Sequence, residues 1–253
     1  MKKNIVSLSN QTIEVILGSL LGDGSLKIHK GYANARFSIR HSITQEKYFY
    51  WKINLLKEIS SENCVFKQPN DKGYSKNDKL RFQSLALESL SELYNLTNKK
   101  GRLRIRRKWL NKLSPLSLAI WWMDDGSIIA NGRKGVFCTD GFAKKDVEII
   151  SKYLRVVWKI KTNVSPVFKK KDGKKEEYYR IWITSTEELK KFLRIILPYI
   201  KVREMLYKII LLYKDQQLQQ RWISEISLAT GFSENEITAS LNSKKEKWKS
   251  FRK

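Results

Sequence analysis

Two apolar runs in this chain end in the same way. Residues 12–24 read TIEVILGSLLGDG and residues 114–126 read SPLSLAIWWMDDG. Each opens on a hydroxyl residue suited to capping free helical N–H groups, continues almost without charge, and closes on Asp-Gly. Pro115 strengthens the second start, because the N–H it lacks has no partner in a first helical turn. Superposing the runs places Asp23 on Asp125 and Gly24 on Gly126, an offset of 125 − 23 = 102 residues in a chain of 253. The pattern therefore implies an internal duplication.

The segments beyond each helix repeat as well. Arg36, Ser38, Arg40 and Ser42 alternate with Phe37, Ile39 and His41, as in a strand with one packed and one basic face. A helix is predicted over Gln45–Ile59, with Tyr48, Trp51, Ile53, Leu55 and Leu56 inward. Strands come next at Cys64–Gln68 and Lys79–Ser84, joined by the turn-rich NDKGYSKND, then a short helix at Leu85–Leu96 and a basic connector, Lys99 to Lys112. The second half replays the order: a strand at Gly135–Thr139, a helix at Asp146–Ile160, a hairpin of Val164–Lys169 and Tyr178–Thr184, and a helix at Thr186–Ile200 stopped near Pro198. Leu80-Arg81-Phe82-Gln83 sits opposite Tyr179-Arg180-Ile181-Trp182. The fold class expected is α+β, a tandem pseudo-twofold repeat of αββαββα halves, residues 1–105 and 106–213, whose antiparallel strands form a saddle. Residues 214–253 read as a basic helical extension. Its Gln219–Ala229 helix, Gly231 and Ser233-Glu234-Asn235-Glu236 capping box suit either a packed helical pair or a helix-turn-helix.

Charge narrows the partner. Fifty Lys and Arg against 25 Asp and Glu leave a net +25, which favours a polyanion, nucleic acid ahead of an anionic membrane surface. No run approaches the ~18 apolar residues of a membrane span, and MKKNIVSLSN lacks an apolar signal core, so no membrane partner and no secretion are expected. Cys64, Cys138, His29 and His41 provide no spaced zinc ligand set, so the cysteines read as reduced core or strand residues and the histidines as surface or strand residues. A catalytic metal must then be held by oxygen. If the two motif helices pack at the repeat axis, Asp23 and Asp125 converge, and their repulsion calls for a hard cation, Mg²⁺ or Mn²⁺. A lone Asp-Gly after a helix is only a turn, but two at matching repeat positions on a basic chain suit phosphodiester hydrolysis.

ILGSLLGDG (Ile16–Gly24) and LAIWWMDDG (Leu118–Gly126), with the element order around them across residues 12–213, resemble the LAGLIDADG homing endonucleases, in their single-chain, two-motif branch. The resemblance implies a monomer that cleaves both strands of a long, nearly asymmetric DNA site with Mg²⁺. It makes Asp23 and Asp125 the metal ligands, with backbone oxygens of Gly22 and Asp124 beside them, and matches Lys100 and Lys208 to basic residues that stabilise charge or orient water. The DNA-contacting set expected comprises Arg36, Ser38, Arg40, Lys67, Gln68, Arg81, Gln83, Lys134, Lys169, Lys171, Arg180 and Trp182. Such genes sit in introns, which points to an organelle or the bacterial cytoplasm. It also keeps open an intron-splicing maturase or other non-cleaving binder on the same scaffold, with the chain's own intron RNA as partner. Ile120 and Asp124 stand where the first motif has Gly18 and Gly22, and this asymmetry favours one chain acting alone. Trp121 and Trp122 read as core. Arg40→Ala is expected to relax specificity at one or two base pairs, by about 1–3 kcal/mol for an arginine–guanine contact. Equal loss on all sequences in a binding selection rejects that role.

Overall fold

Both motif helices form where the apolar runs lie. In this computed structural model α1 spans Asn10–Leu21 and α5 spans Pro115–Asp125. The structure describes residues 7–70, 77–171 and 173–248, and the chain divides into two units, Met1–Asp124 and Asp125–Lys253. Most of the turn-rich stretch (71–76), Asp172 and the side chain of Lys171 lie outside the described residues. The first cap differs from expectation. Ser9, not Thr12, receives the Thr12 N–H at 3.2 Å, while the Thr12 hydroxyl is buried and donates to the Leu55 carbonyl. In the second helix Ser114 accepts from the Ser117 N–H, and Leu116 to Met123 are all buried.

In the first unit α1 leads into β1 (Gly24–Lys27), β2 (Arg36–Ser42), α2 (Glu46–Asn54), β3 (Val65–Gln68), β4 (Lys79–Gln83) and α3 (Glu88–Thr97). The strands form one antiparallel sheet in the order β1-β2-β4-β3. Alternation along β2 and β4 holds: Phe37, Ile39, His41, Leu80 and Phe82 are buried beneath α2 and α3, and the Arg and Ser positions face outward. The basic connector carries a small hairpin, β5 (Asn98–Lys99) and β6 (Arg102–Leu103), then α4 (Arg107–Leu110). Lys100 and Gly101 turn the hairpin with φ of 50° and 74°, the paired left-handed conformation of a tight hairpin turn.

The second unit repeats this order with β7 (Gly126–Ile129), β8 (Lys134–Phe137), α6 (Lys144–Val156), β9 (Asn163–Lys171), β10 (Lys174–Ile183) and α7 (Thr186–Ile196). Its sheet runs β7-β8-β10-β9, the same topology as the first. Phe137, Ile181 and Ile183 pack beneath α6 and α7, with Phe137 edge-on to Phe192 at 5.4 Å between ring centres. The four-residue strands β1 and β7 are the first strands of the αββαββα halves, whose bounds could not be read from the sequence because they are too short to show a period. The predicted helices at 45–59 and 146–160 stop early, at Asn54 and Val156, where the chain passes into a 3-10 turn at Lys57–Ile59 and a left-handed Lys159.

The 214–253 segment is part of the second unit. Helices α8 (Gln216–Thr230) and α9 (Glu234–Lys245) are joined at left-handed Gly231, and the Ser233–Glu236 capping box is present. Beneath them Ile209–Leu212 is fully buried without regular structure. Side chains of the pair satisfy its carbonyls: Trp222 donates to Ile209, Lys244 to Ile210 and Gln219 to Leu211. A buried backbone needs such partners, so the extension is a packed helical pair.

The first motif helix is notched to receive the second. A Cβ at Gly18 would stand 2.4 Å from the Ser117 carbonyl oxygen, and one at Gly22 would stand 2.5 Å from the Asp124 Cβ. Ser117 completes the contact by donating to the Glu14 carbonyl at 2.8 Å. Gly18→Ala is therefore expected to lose about 1–3 kcal/mol in chemical denaturation, despite the ~1 kcal/mol alanine usually adds in a helix. Unchanged stability would mean the helices part freely.

Candidate functional site

The site grows from the C-terminal ends of α1 and α5. Asp124 points inward from the last turn of α5, where the helix dipole disfavours an anion. Its carboxylate is completely buried, and Lys52, itself buried on α2, places Nζ 2.9 Å from both oxygens. The Tyr48 hydroxyl donates to Oδ1 at 2.7 Å, and the Asp23 N–H reaches Oδ2 at 3.3 Å. Burial pushes the Asp124 carboxyl up, but the charge of Lys52, the nearby His41 and hydrogen bonds from Lys52 and Tyr48 outweigh it and hold the group below its ordinary range. Asp124 is thus a deprotonated, structurally engaged acid.

Asp23 sits two residues beyond α1, with its side chain 41% exposed. His41, buried on β2, stands between the two acids: Nδ1 lies 3.5 Å from Asp23 Oδ2, and Nε2 lies 3.9 Å from Asp124 Oδ1 and 3.3 Å from Lys52 Nζ. Ligand atoms of Asp23, His41 and Asp124 fall within 4.8 Å of one another. The donor chemistry divides this trio. Lys52 and Tyr48 occupy the Asp124 oxygens, so Asp124 has only its main chain to offer a cation, whereas the solvent-facing Asp23 carboxylate suits a hard divalent ion. The cation demanded by the acid at the end of α5 is, for Asp124, a lysine.

In the second unit the Asp125 carbonyl accepts from the Cys138 N–H at 3.0 Å, which ties the start of β7 to β8. Burial, with Asp125 and Asp140 nearby, pushes the Cys138 thiol up. Arg180 on β10 is clasped by Asp140, Nε to Oδ1 at 2.7 Å and Nη2 to Oδ2 at 2.7 Å, and Lys169 on β9 reaches the same carboxylate at 2.6 Å. The hydrogen bond from Arg180 holds the Asp140 carboxyl down at about 2.

The other predicted contacts divide by strand face. Arg36, Ser38, Arg40, Arg81 and Gln83 share the outer face of the first sheet, where Arg40 and Arg81 are direct cross-strand partners. Arg36 lies 4.4 Å from the Tyr32 ring centre and Arg81 lies 5.4 Å from that of Phe66. Gln68 registers with Lys79 on that face. Lys67 departs from the expectation: it registers with buried Leu80, hence turns to the opposite face, and pairs with Asp78 at 2.8 Å. Lys169, Arg180 and Trp182 share a face of the second sheet, and Lys134 is exposed at the start of β8. Lys100 stands at the hairpin tip beside an open cleft of about 700 Å³ lined by Lys99, Lys100, Arg102, Arg104 and Arg106. Lys208 ends a 3-10 turn, Arg203–Lys208, and is only 6% exposed. No described helix is long and apolar enough to cross a membrane.

The model of the LAGLIDADG DNA endonuclease family matches residues 13–192. The chain belongs to that family. Among its relatives, the cytochrome b mRNA maturase bI2 of Saccharomyces cerevisiae is 29% identical over 219 residues, 83% of this chain and 49% of the maturase. DNA endonuclease I-ChuI of Chlamydomonas applanata is 27% identical over 175 residues, 63% of this chain and 78% of that enzyme. This chain thus spans about half the length of the yeast maturase. The homing endonuclease I-WcaI, solved bound to its DNA recognition sequence, shares the fold with a TM-score of 0.68 at 23% identity, covering 84% of this chain and 91% of that one.

Within its two LAGLIDADG motifs, this chain treats the residue before the terminal acid in opposite ways. Gly22 vacates the space that Asp124 fills, which answers how an acid fits where the first motif has glycine. Lys52, Tyr48 and the role of His41 lie outside the residues that the sequence singles out. A signal existed, since Lys52 follows Tyr48 and Phe49 on the buried stripe of α2, where a lysine needs a buried anion. Lys52→Met is expected to cost about 3–5 kcal/mol at neutral pH, as for a buried pair losing one partner. Because the Asp124 pKa is depressed in the folded state, the pair's stabilisation is full above the ordinary carboxylate pKa of 3.8 and lost as pH falls through the lower folded value. The gap between wild type and Lys52→Met in urea denaturation should therefore narrow in acid. A gap independent of pH rejects the pairing.

Proposed function

We propose that this protein is a site-specific double-strand DNA endonuclease that hydrolyses phosphodiester bonds using a divalent cation, Mg²⁺ or Mn²⁺. The observation that carries the reading is that each buried motif helix delivers an acid at or just beyond its C-terminal end, Asp23 two residues past one and Asp125 as the last residue of the other. The first of these is open to solvent while its main chain is tied from behind to Asp124. A binding scaffold has no use for such acids on a chain with 50 basic residues. Membership of the LAGLIDADG family and the fold shared with a DNA-bound homing endonuclease support the same assignment.

In this reading Asp23 and Asp125 serve as cation ligands, with main-chain oxygens of Gly22 and Asp124 beside them. When bound, the cation supplies charge that activates water and steadies the leaving 3′ oxygen. The chain's own groups do the rest. Arginines on the outer strand faces hold the duplex, and Lys100, carried at the hairpin tip in a basic cleft, neutralises charge on a phosphate. Hydrolysis adds water across the P–O3′ bond and leaves a 5′ phosphate and a 3′ hydroxyl. The protein acts as a monomer, in an organelle or a bacterial cytoplasm.

One observation favours a second reading. The yeast relative that matches 83% of this chain is a maturase, so the same basic surface could hold intron RNA and assist splicing. The deciding experiment is cleavage of a plasmid carrying the uninterrupted site of the host gene, in Mg²⁺. Wild type should cut both strands, whereas Asp23→Asn and Asp125→Asn should bind without yielding linear product. Full activity in either variant overturns the mechanism, and splicing without cleavage by wild type decides for the maturase.

A further inference from the structure

The two outer sheet faces are built alike but charged differently. Ile39 pairs with both Gly24 and Phe82 in the first sheet, and Phe137 pairs with both Gly126 and Ile181 in the second. Counting from these anchors, Arg81 corresponds to Arg180, Arg40 to Cys138, and Ser42 to Asp140. In the first sheet two arginines face one another across the ladder, a like-charged pair that costs stability and attracts an anionic partner. In the second, one arginine has become a cysteine and a serine has become the acid that clasps the other arginine. Ser42 does something else, accepting from the Thr44 N–H and hydroxyl.

We propose that Asp140 is a positioning residue that makes Arg180 a reader of sequence rather than a phosphate contact. This rests on the DNA-binding reading of the chain. Bidentate contact with Asp140 takes Arg180 Nε and one side of Nη2 and leaves the outer Nη1–Nη2 edge, which matches the paired acceptors of guanine. The clasp fixes the plane of the guanidinium, so little conformational freedom is left to lose on binding. It also offsets the arginine's charge, which weakens attraction to phosphate on any sequence. Lys169, 49% exposed and bonded to the same Asp140 oxygen as Arg180 Nη2, retains the net positive charge of the group. Arg180 and Asp140 are 18% and 21% exposed, enough to meet a base edge but too enclosed to swing to the backbone.

The test is selection of bound duplexes from a randomised library by the full chain, with Arg180→Ala, Asp140→Ala and Asp140→Asn beside wild type, and affinity for one unrelated duplex measured in parallel. Arg180→Ala should flatten the preference at one or two adjacent base pairs. Both Asp140 variants should flatten those same pairs, by about 5-fold or more, the lower end of a bidentate contact's discrimination. Their affinity for the unrelated duplex should be equal or higher, since an acid has been removed. Loss at every position alike, loss at positions other than those of Arg180, or unchanged preference overturns the assignment of Asp140. A wild-type chain that enriches no sequence overturns the DNA-recognition reading itself, and this assignment with it.

Discussion

The buried ion pair between Asp124 and Lys52 is the interaction on which the first motif region depends. A fully buried carboxylate near a helix C-terminus is unfavourable twice over, by desolvation and by the dipole, and one lysine with both oxygens in reach offsets both costs. Such a pair adds less stability than an apolar contact of the same volume would. What it provides is register. Lys52 comes from α2, Asp124 from α5 and the Asp23 N–H from the end of α1, so the three elements are locked at one point. Gly22 is required by the same arrangement, because any side chain there would displace the Asp124 carboxylate.

That lock separates two acids that look equivalent in the sequence. Asp124 is neutralised inside the protein, and Asp23 is held at the surface with its main chain fixed. The proposed cation chemistry would use both treatments, since a ligand for a divalent cation works best if its backbone does not move and its carboxylate stays open. His41 lies between them, in contact with both acids and with Lys52, and its ring packs edge-on to Tyr48.

Duplication preserved the scaffold and changed the charges. Both sheets keep one strand order, and both bury the same alternate positions beneath two helices. Their outer faces diverge, with opposed arginines on one and an acid-clasped arginine on the other. On the proposed reading, a repeat that reads an asymmetric duplex gains from this freedom at outward positions, which carry little of the folding energy. The terminal helical pair shows the converse. Its polar side chains face inward to satisfy carbonyls of the buried Ile209–Leu211 run, so it behaves as part of the second unit's core.

Much of this was legible in the chain itself. The repeat, the capped apolar helices, the alternation of β2 and β4 and the Asp-Gly endings all depend on residues within a few positions of one another, and local periodicity reports them. The roles of Lys52, Asp140 and Lys67 were not legible. Lys52 meets an acid 72 residues away, and Arg180 meets one 40 residues away. Lys67 turned to the unexpected face because ladder register, set by its neighbours, decides which side a residue takes. The sequence by itself determined where the buried motif helices and their Asp-Gly endings would fall. Only tertiary packing decided which acid is neutralised and which stays open, because that depends on which distant cation the folded chain brings within hydrogen-bonding reach.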